Sequence, residues 1–112
     1  MNEIIVKDVY SDVFRYLGDM QTAVDNALRN YAVGKINEKI AELGMKVGIW
    51  EKRYGCTYDV FSYRTATDEE YVRELNQNPS TAMWEGDMIM WEYQSGELAK
   101  WYRCLQNILK ES

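Results

Sequence analysis

The sequence predicts a mainly α protein with a short N-terminal β-strand pairing across a homodimer, then a long helix and a C-terminal helical hairpin. Three observations carry this expectation. Apolar residues recur with a seven-residue repeat at Ile36, Ile40, Leu43, Val47, Trp50 and Tyr54, spaced 4, 3, 4, 3, 4. A longer series follows at Trp84, Met88, Trp91, Ser95, Leu98, Tyr102, Leu105 and Leu109, in which only Ser95 is polar. Only one segment, Glu3-Ile4-Ile5-Val6-Lys7-Asp8-Val9, has the short β-branched character of a strand.

The strand needs a partner for its backbone donors and acceptors. No second strand follows, so a second copy of the chain is the expected partner. Ser11 is placed to cap a short helix through Leu17, because its hydroxyl can accept an orphan N–H. Gly18 stops that helix, since glycine tolerates positive φ. Asp19, with Thr22 as the alternative, then caps a long helix carrying Val24, Ala27, Leu28 and Tyr31 on one stripe. Gly34, Gly44 and Gly48 weaken it, and a bend or break is expected near Gly44 to Gly48. Tyr54-Gly55 ends it, Thr57 caps a short helix with Val60, Phe61 and Tyr63, and Asp68-Glu69-Glu70 opens another. The only proline, Pro79, marks a break before a final helix over about 81–109. Its regular seam calls for a helix alongside, and the middle helix is the natural antiparallel mate.

At 112 residues the chain is about one domain, here divided into a dimerisation module over 1–33 and a partner-binding helical region over 34–112. A net charge of −5 works against non-specific attraction to nucleic acid. The absence of histidine removes the commonest general acid–base and metal ligand. Cys56 and Cys104 form no metal-spaced cluster and read as free thiols of a reducing compartment. No signal-peptide pattern or apolar run of membrane-spanning length is present, so a cytoplasmic location off the membrane is expected.

The N-terminal third runs Ile4-Ile5-Val6-Lys7, then Val13-Phe14-Arg15-Tyr16-Leu17-Gly18, then Thr22-Ala23-Val24-Asp25-Asn26-Ala27-Leu28-Arg29-Asn30-Tyr31. Over roughly residues 3–33 this order resembles the ribbon–helix–helix family of DNA-binding proteins. It implies a two-stranded ribbon in the major groove and a phosphate held at the start of the second helix, near Gln21 and Thr22. Lys7, Gln21 and Thr22 are then the DNA-facing set, while Ile4, Ile5, Val6, Val13, Leu17, Val24 and Leu28 form the dimer core. One departure bears on the DNA role: the outward Glu3, Ile5 and Lys7 offer one anion, one apolar group and one cation, where base readout uses polar groups. A short strand-led module, a long helix and a Trp- and Glu-rich C-terminal helix follow one another, the last reading Trp84-Glu85-Gly86-Asp87 through Met90-Trp91-Glu92-Tyr93 to Glu97-Leu98-Ala99-Lys100-Trp101-Tyr102. In this the whole chain resembles antitoxins of small prokaryotic toxin–antitoxin pairs, the TumA-like group among them. That likeness implies a toxin protein and an operator DNA as partners.

The aromatic set Trp84, Trp91, Trp101 and Tyr102 has two readings: anchors that grip a partner protein, or the core of an intramolecular hairpin. Trp101 lies one position off the seam. Glu85 and Glu92 share a helix face, but without the Glu-x-x-His pairs of di-metal bundles they read as a solvated surface. Lys35, Lys39, Lys46, Lys52 and Arg53 are interspersed with Glu38, Glu42 and Glu51, an ordinary charged surface. No serine elbow or glycine-rich phosphate loop occurs. The expectation is therefore a dimeric, antitoxin-like interaction protein with no catalytic residue, metal or cofactor. A helical adaptor or accessory subunit that binds no DNA is the alternative.

Overall fold

The computed structural model describes residues 7–111, and their regular structure is five helices: α1 (Asp8–Leu17), α2 (Met20–Tyr54), α3 (Tyr58–Thr67), α4 (Glu69–Gln77) and α5 (Trp84–Lys110). The chain divides into two compact units, Met1–Lys35 and Ile36–Ser112.

The expected strand is corrected at its described end. Asp8 and Val9 form the first turn of α1, and the Lys7 carbonyl accepts the N–H groups of Tyr10 at 2.9 Å and Ser11 at 3.2 Å. Glu3 to Val6 lie outside the described residues. No strand or sheet occurs among the described residues, and the class they show is mainly α. The physical reason lies in the local pattern. Asp8 opposes the positive end of a helix, and Val9 and Val13 recur one helical turn apart. That period outweighs the β-preference of two valines, which depends on a paired sheet surface. Ser11, expected to cap α1, lies inside it one turn later.

In the N-terminal unit, Gly18 follows α1 with φ of 123°, a conformation that only glycine adopts without strain. Asp19 then opens α2. The helix runs unbroken for 35 residues through Gly44 and Gly48, where a bend had been expected. A Cβ added at either glycine would meet nothing within 4 Å, so neither marks a close approach. The helix absorbs their propensity cost, about 1 kcal/mol each, because packing on its other faces holds it. Gly55, at φ 70°, ends it and donates its N–H to the Glu51 carbonyl at 2.8 Å.

The C-terminal unit is built around one aromatic core of Tyr54, Phe61, Leu75 and Trp91. Val47, Trp50, Tyr58, Tyr71, Trp84 and Met88 pack against it. Phe61 is fully buried at its centre, with ring centroids 4.6 Å from Tyr54, 5.2 Å from Trp91 and 6.2 Å from both Tyr71 and Trp84. The two short helices are capped as their sequences imply. Thr57 Oγ1 accepts from Val60 N–H at 3.4 Å, and Asp68 Oδ1 accepts from Tyr71 N–H at 3.1 Å. Past α4, Asn78 Oδ1 accepts from both the Ser80 amide and its hydroxyl, closing the turn around Pro79. The seam of α5 meets the end of α2 in antiparallel register: Trp50 bonds Gln94, and Tyr54 bonds Asp87.

Candidate interaction surfaces

Among residues 7–35 whose side chains are described, none is buried. Val9, Tyr10 and Val13 on α1 are half or more exposed, as is Tyr31 on α2, and Leu28 is 43% exposed. Val24 is half-buried. Of the expected dimer core, Val13, Val24 and Leu28 are therefore apolar and accessible to different degrees. Leu17 is the last residue of α1, and Ile4, Ile5 and Val6 lie outside the described residues.

The start of α2 already holds an anion. Asp19 Oδ1 accepts the Gln21 N–H at 3.0 Å, and Oδ2 accepts the Thr22 hydroxyl at 2.6 Å. The Gln21 side chain donates to Asp25 Oδ1 at 2.8 Å. The Thr22 hydroxyl bond first, then the backbone N–H groups of Thr22 and Gln21, hold the Asp19 carboxyl below its usual range. Gln21 and Thr22, expected to hold a phosphate, are thus engaged by carboxylates of the chain itself. Lys7 is exposed just ahead of α1.

The structure separates the four aromatic candidates of α5. Trp91 is fully buried, which takes it out of a partner's reach. It stacks at 5.7 Å on Tyr54 and meets Tyr58 edge-on at 5.6 Å. Its indole N–H is buried with no hydrogen-bond acceptor. Trp84 is half-buried against Phe61, and its Nε1 donates to Asn76 Oδ1 at 2.8 Å. Trp101 is half-buried, with the Lys100 ammonium 5.5 Å from its ring centroid. Tyr102, though in phase with Trp91, is 49% exposed. The regular seam is thus core where α3 and α4 pack on α5, and it opens to solvent toward the C-terminus at Tyr102 and Leu109.

Two polar links within this unit have no trace in the apolar pattern. Gln94 is buried, and its Oε1 accepts the Trp50 indole N–H at 2.7 Å. Asp87 Oδ2 accepts both the Tyr54 hydroxyl at 2.6 Å and the Arg53 guanidinium at 3.0 Å. Burial, followed by the Asp87 hydrogen bond and charge, pushes the Tyr54 phenol far above its ordinary range. The seven-residue repeat that contains Trp50 and Tyr54 points to contact with α5 but does not name these partners. The clue in the sequence is that Asp87 and Gln94 are themselves seven apart.

No group of three or more Asp, Glu and Cys side chains that could hold a metal ion occurs among the described residues, and no helix there is long and apolar enough to cross a membrane. Comparison with protein-family models, curated proteins and solved structures gives no match.

Proposed function

We propose that this chain is a non-catalytic interaction protein whose N-terminal unit completes its core on a second protein chain. The observation that carries this reading is the open apolar face of α1 and the start of α2. Val9, Tyr10, Val13, Leu28 and Tyr31 are all substantially exposed, and no described neighbour before Ile36 is buried. An apolar helix face is stable only when it packs on another element, and two short helical stretches offer too little surface to enclose one. A second copy of the chain is the occupant that needs no further component, because one self-complementary face serves both protomers of a two-fold dimer. Contact with a toxin protein, the specific form of this role that the antitoxin resemblance implies, would draw on the same kind of surface.

The placement of Asp19 favours the reading without DNA. Its carboxylate takes the amide that a phosphate would use and adds like charge to a chain of net −5. Sedimentation equilibrium of the full chain and of Val9→Asp/Val13→Asp tests the proposal. A dimer that dissociates on substitution, with the C-terminal aromatic core still folded, is expected. A wild-type chain that stays monomeric at tens of micromolar would overturn the self-association.

A further inference from the structure

A groove in the C-terminal unit points to a particular kind of partner. It is an open depression of about 460 Å³ between α2, the start of α3, and α5, lined in part by Val47, Gly96 and Ala99. That volume is in the range of pockets that enclose side chains of a ligand. Gly96 and Ala99 lie one helical turn apart and are exposed, and a Cβ on Gly96 would meet nothing within 4 Å. The α5 wall is therefore low enough for another backbone to come close.

Three exposed carboxylates share this groove, one from each helix: Glu51 of α2, Asp59 of α3 and Glu92 of α5. Among the described residues none of the three is ion-paired with a lysine or arginine. Elsewhere on the same helices, Glu42, Asp87 and Glu97 each have a cationic partner. Tyr58 also lines the groove. Its phenol is pushed up by burial first and then by the Glu92 charge, so it stays a neutral hydrogen-bonding group.

We propose that this groove docks a cationic amphipathic helix of a partner protein, its small apolar residues against Val47, Gly96 and Ala99 and its lysines or arginines against Glu51, Asp59 and Glu92. This inference deepens the interaction role but uses a different unit from the self-association above, so the two can fail separately. Charge complementarity selects the partner's sign. The groove lies along a helix pair, and no open sheet edge exists among the described residues for an extended peptide to join. A helix laid along that pair is the recognition mode that matches its small-residue floor and its carboxylate rim.

The test is fluorescence anisotropy of the full chain with a labelled Leu/Lys helical peptide of about 18 residues, against a Leu/Glu peptide of the same pattern. Attraction to the overall acidic charge is separated by two variants of equal charge change. One carries Glu51→Gln, Asp59→Asn and Glu92→Gln. The other carries Glu69→Gln, Glu70→Gln and Glu111→Gln, none of which lines the groove. The groove variant is expected to bind the cationic peptide about tenfold more weakly than the control variant. Gly96→Leu, which favours the helix and fills the groove, should abolish binding. Equal weakening by the two triple variants, full binding by Gly96→Leu, or equal affinity for the Leu/Glu peptide would each overturn the proposal.

Discussion

The indole N–H of Trp50 donates to the buried Oε1 of Gln94 at 2.7 Å, a polar bond set inside an otherwise apolar seam between α2 and α5. It fixes which turn of one helix faces which turn of the other, because a one-residue slip would leave the buried Gln94 amide and the half-buried Trp50 indole unpaired. Gln94→Leu removes the acceptor and strands the indole, so urea denaturation should show a loss of about 1–3 kcal/mol. The double variant Trp50→Phe/Gln94→Leu should recover part of that loss. A double variant less stable by the sum of the single effects would show that no pairing energy is shared.

One helical turn along the same interface, the Tyr54 hydroxyl and the Arg53 guanidinium meet on Asp87. The folded phenol is raised above its unfolded value of about 10. Its contribution is therefore fully present below about pH 10 and is lost as pH rises toward the higher folded value. Thermal melts between pH 8 and 11 should show stability falling above pH 10. In Tyr54→Phe that alkaline decline should shrink, with a lower plateau at pH 8 for the lost hydrogen bond.

Asp19 gives the opposite sign. Its folded carboxyl lies below 3.8, so its contribution is present above that value and disappears as pH falls through the folded one. Asp19→Ala should lower helical content by circular dichroism at pH 7 and flatten the acid dependence in the N-terminal unit. Asp19→Asn should restore most of the helix, since an amide also caps. An alanine variant with unchanged helicity would remove the capping role.

Phe61 has no exposed surface and touches four other rings, so its truncation leaves a cavity that those rings can fill only in part. Phe61→Ala should cost about 3–5 kcal/mol, enough to unfold a marginal unit of this size. Trp91→Phe is a milder change at the same core, because it removes an indole N–H that has no acceptor. Denaturation midpoints should rank wild type and Trp91→Phe above Phe61→Ala. A Phe61→Ala midpoint at or above that of Trp91→Phe would mean the core closes around the missing ring.

By itself the sequence determined the helices, because periodicity and caps are local. The repeats at Ile36–Tyr54 and Trp84–Leu109, the caps at Asp19 and Thr57, the acidic helix start at Asp68, and the stops at Gly18 and Gly55 all reappear in the structure, whereas the cap expected at Ser11 does not. The same local evidence misled at Asp8-Val9, where β-branched residues suggested a strand but helical spacing and an acidic first turn decide the outcome. Only the tertiary structure decided which members of a regular seam are core. Trp91 is buried because the end of α2 and α3 bring Tyr54, Tyr58 and Phe61 over that stretch of α5, whereas Tyr102, in the same phase, is left half exposed. It also decided the partners of Gln94 and Asp87, and brought Glu51, Asp59 and Glu92 from three helices to one groove. Spacing along one helix specifies a face, but burial and pairing depend on what the rest of the chain lays against it.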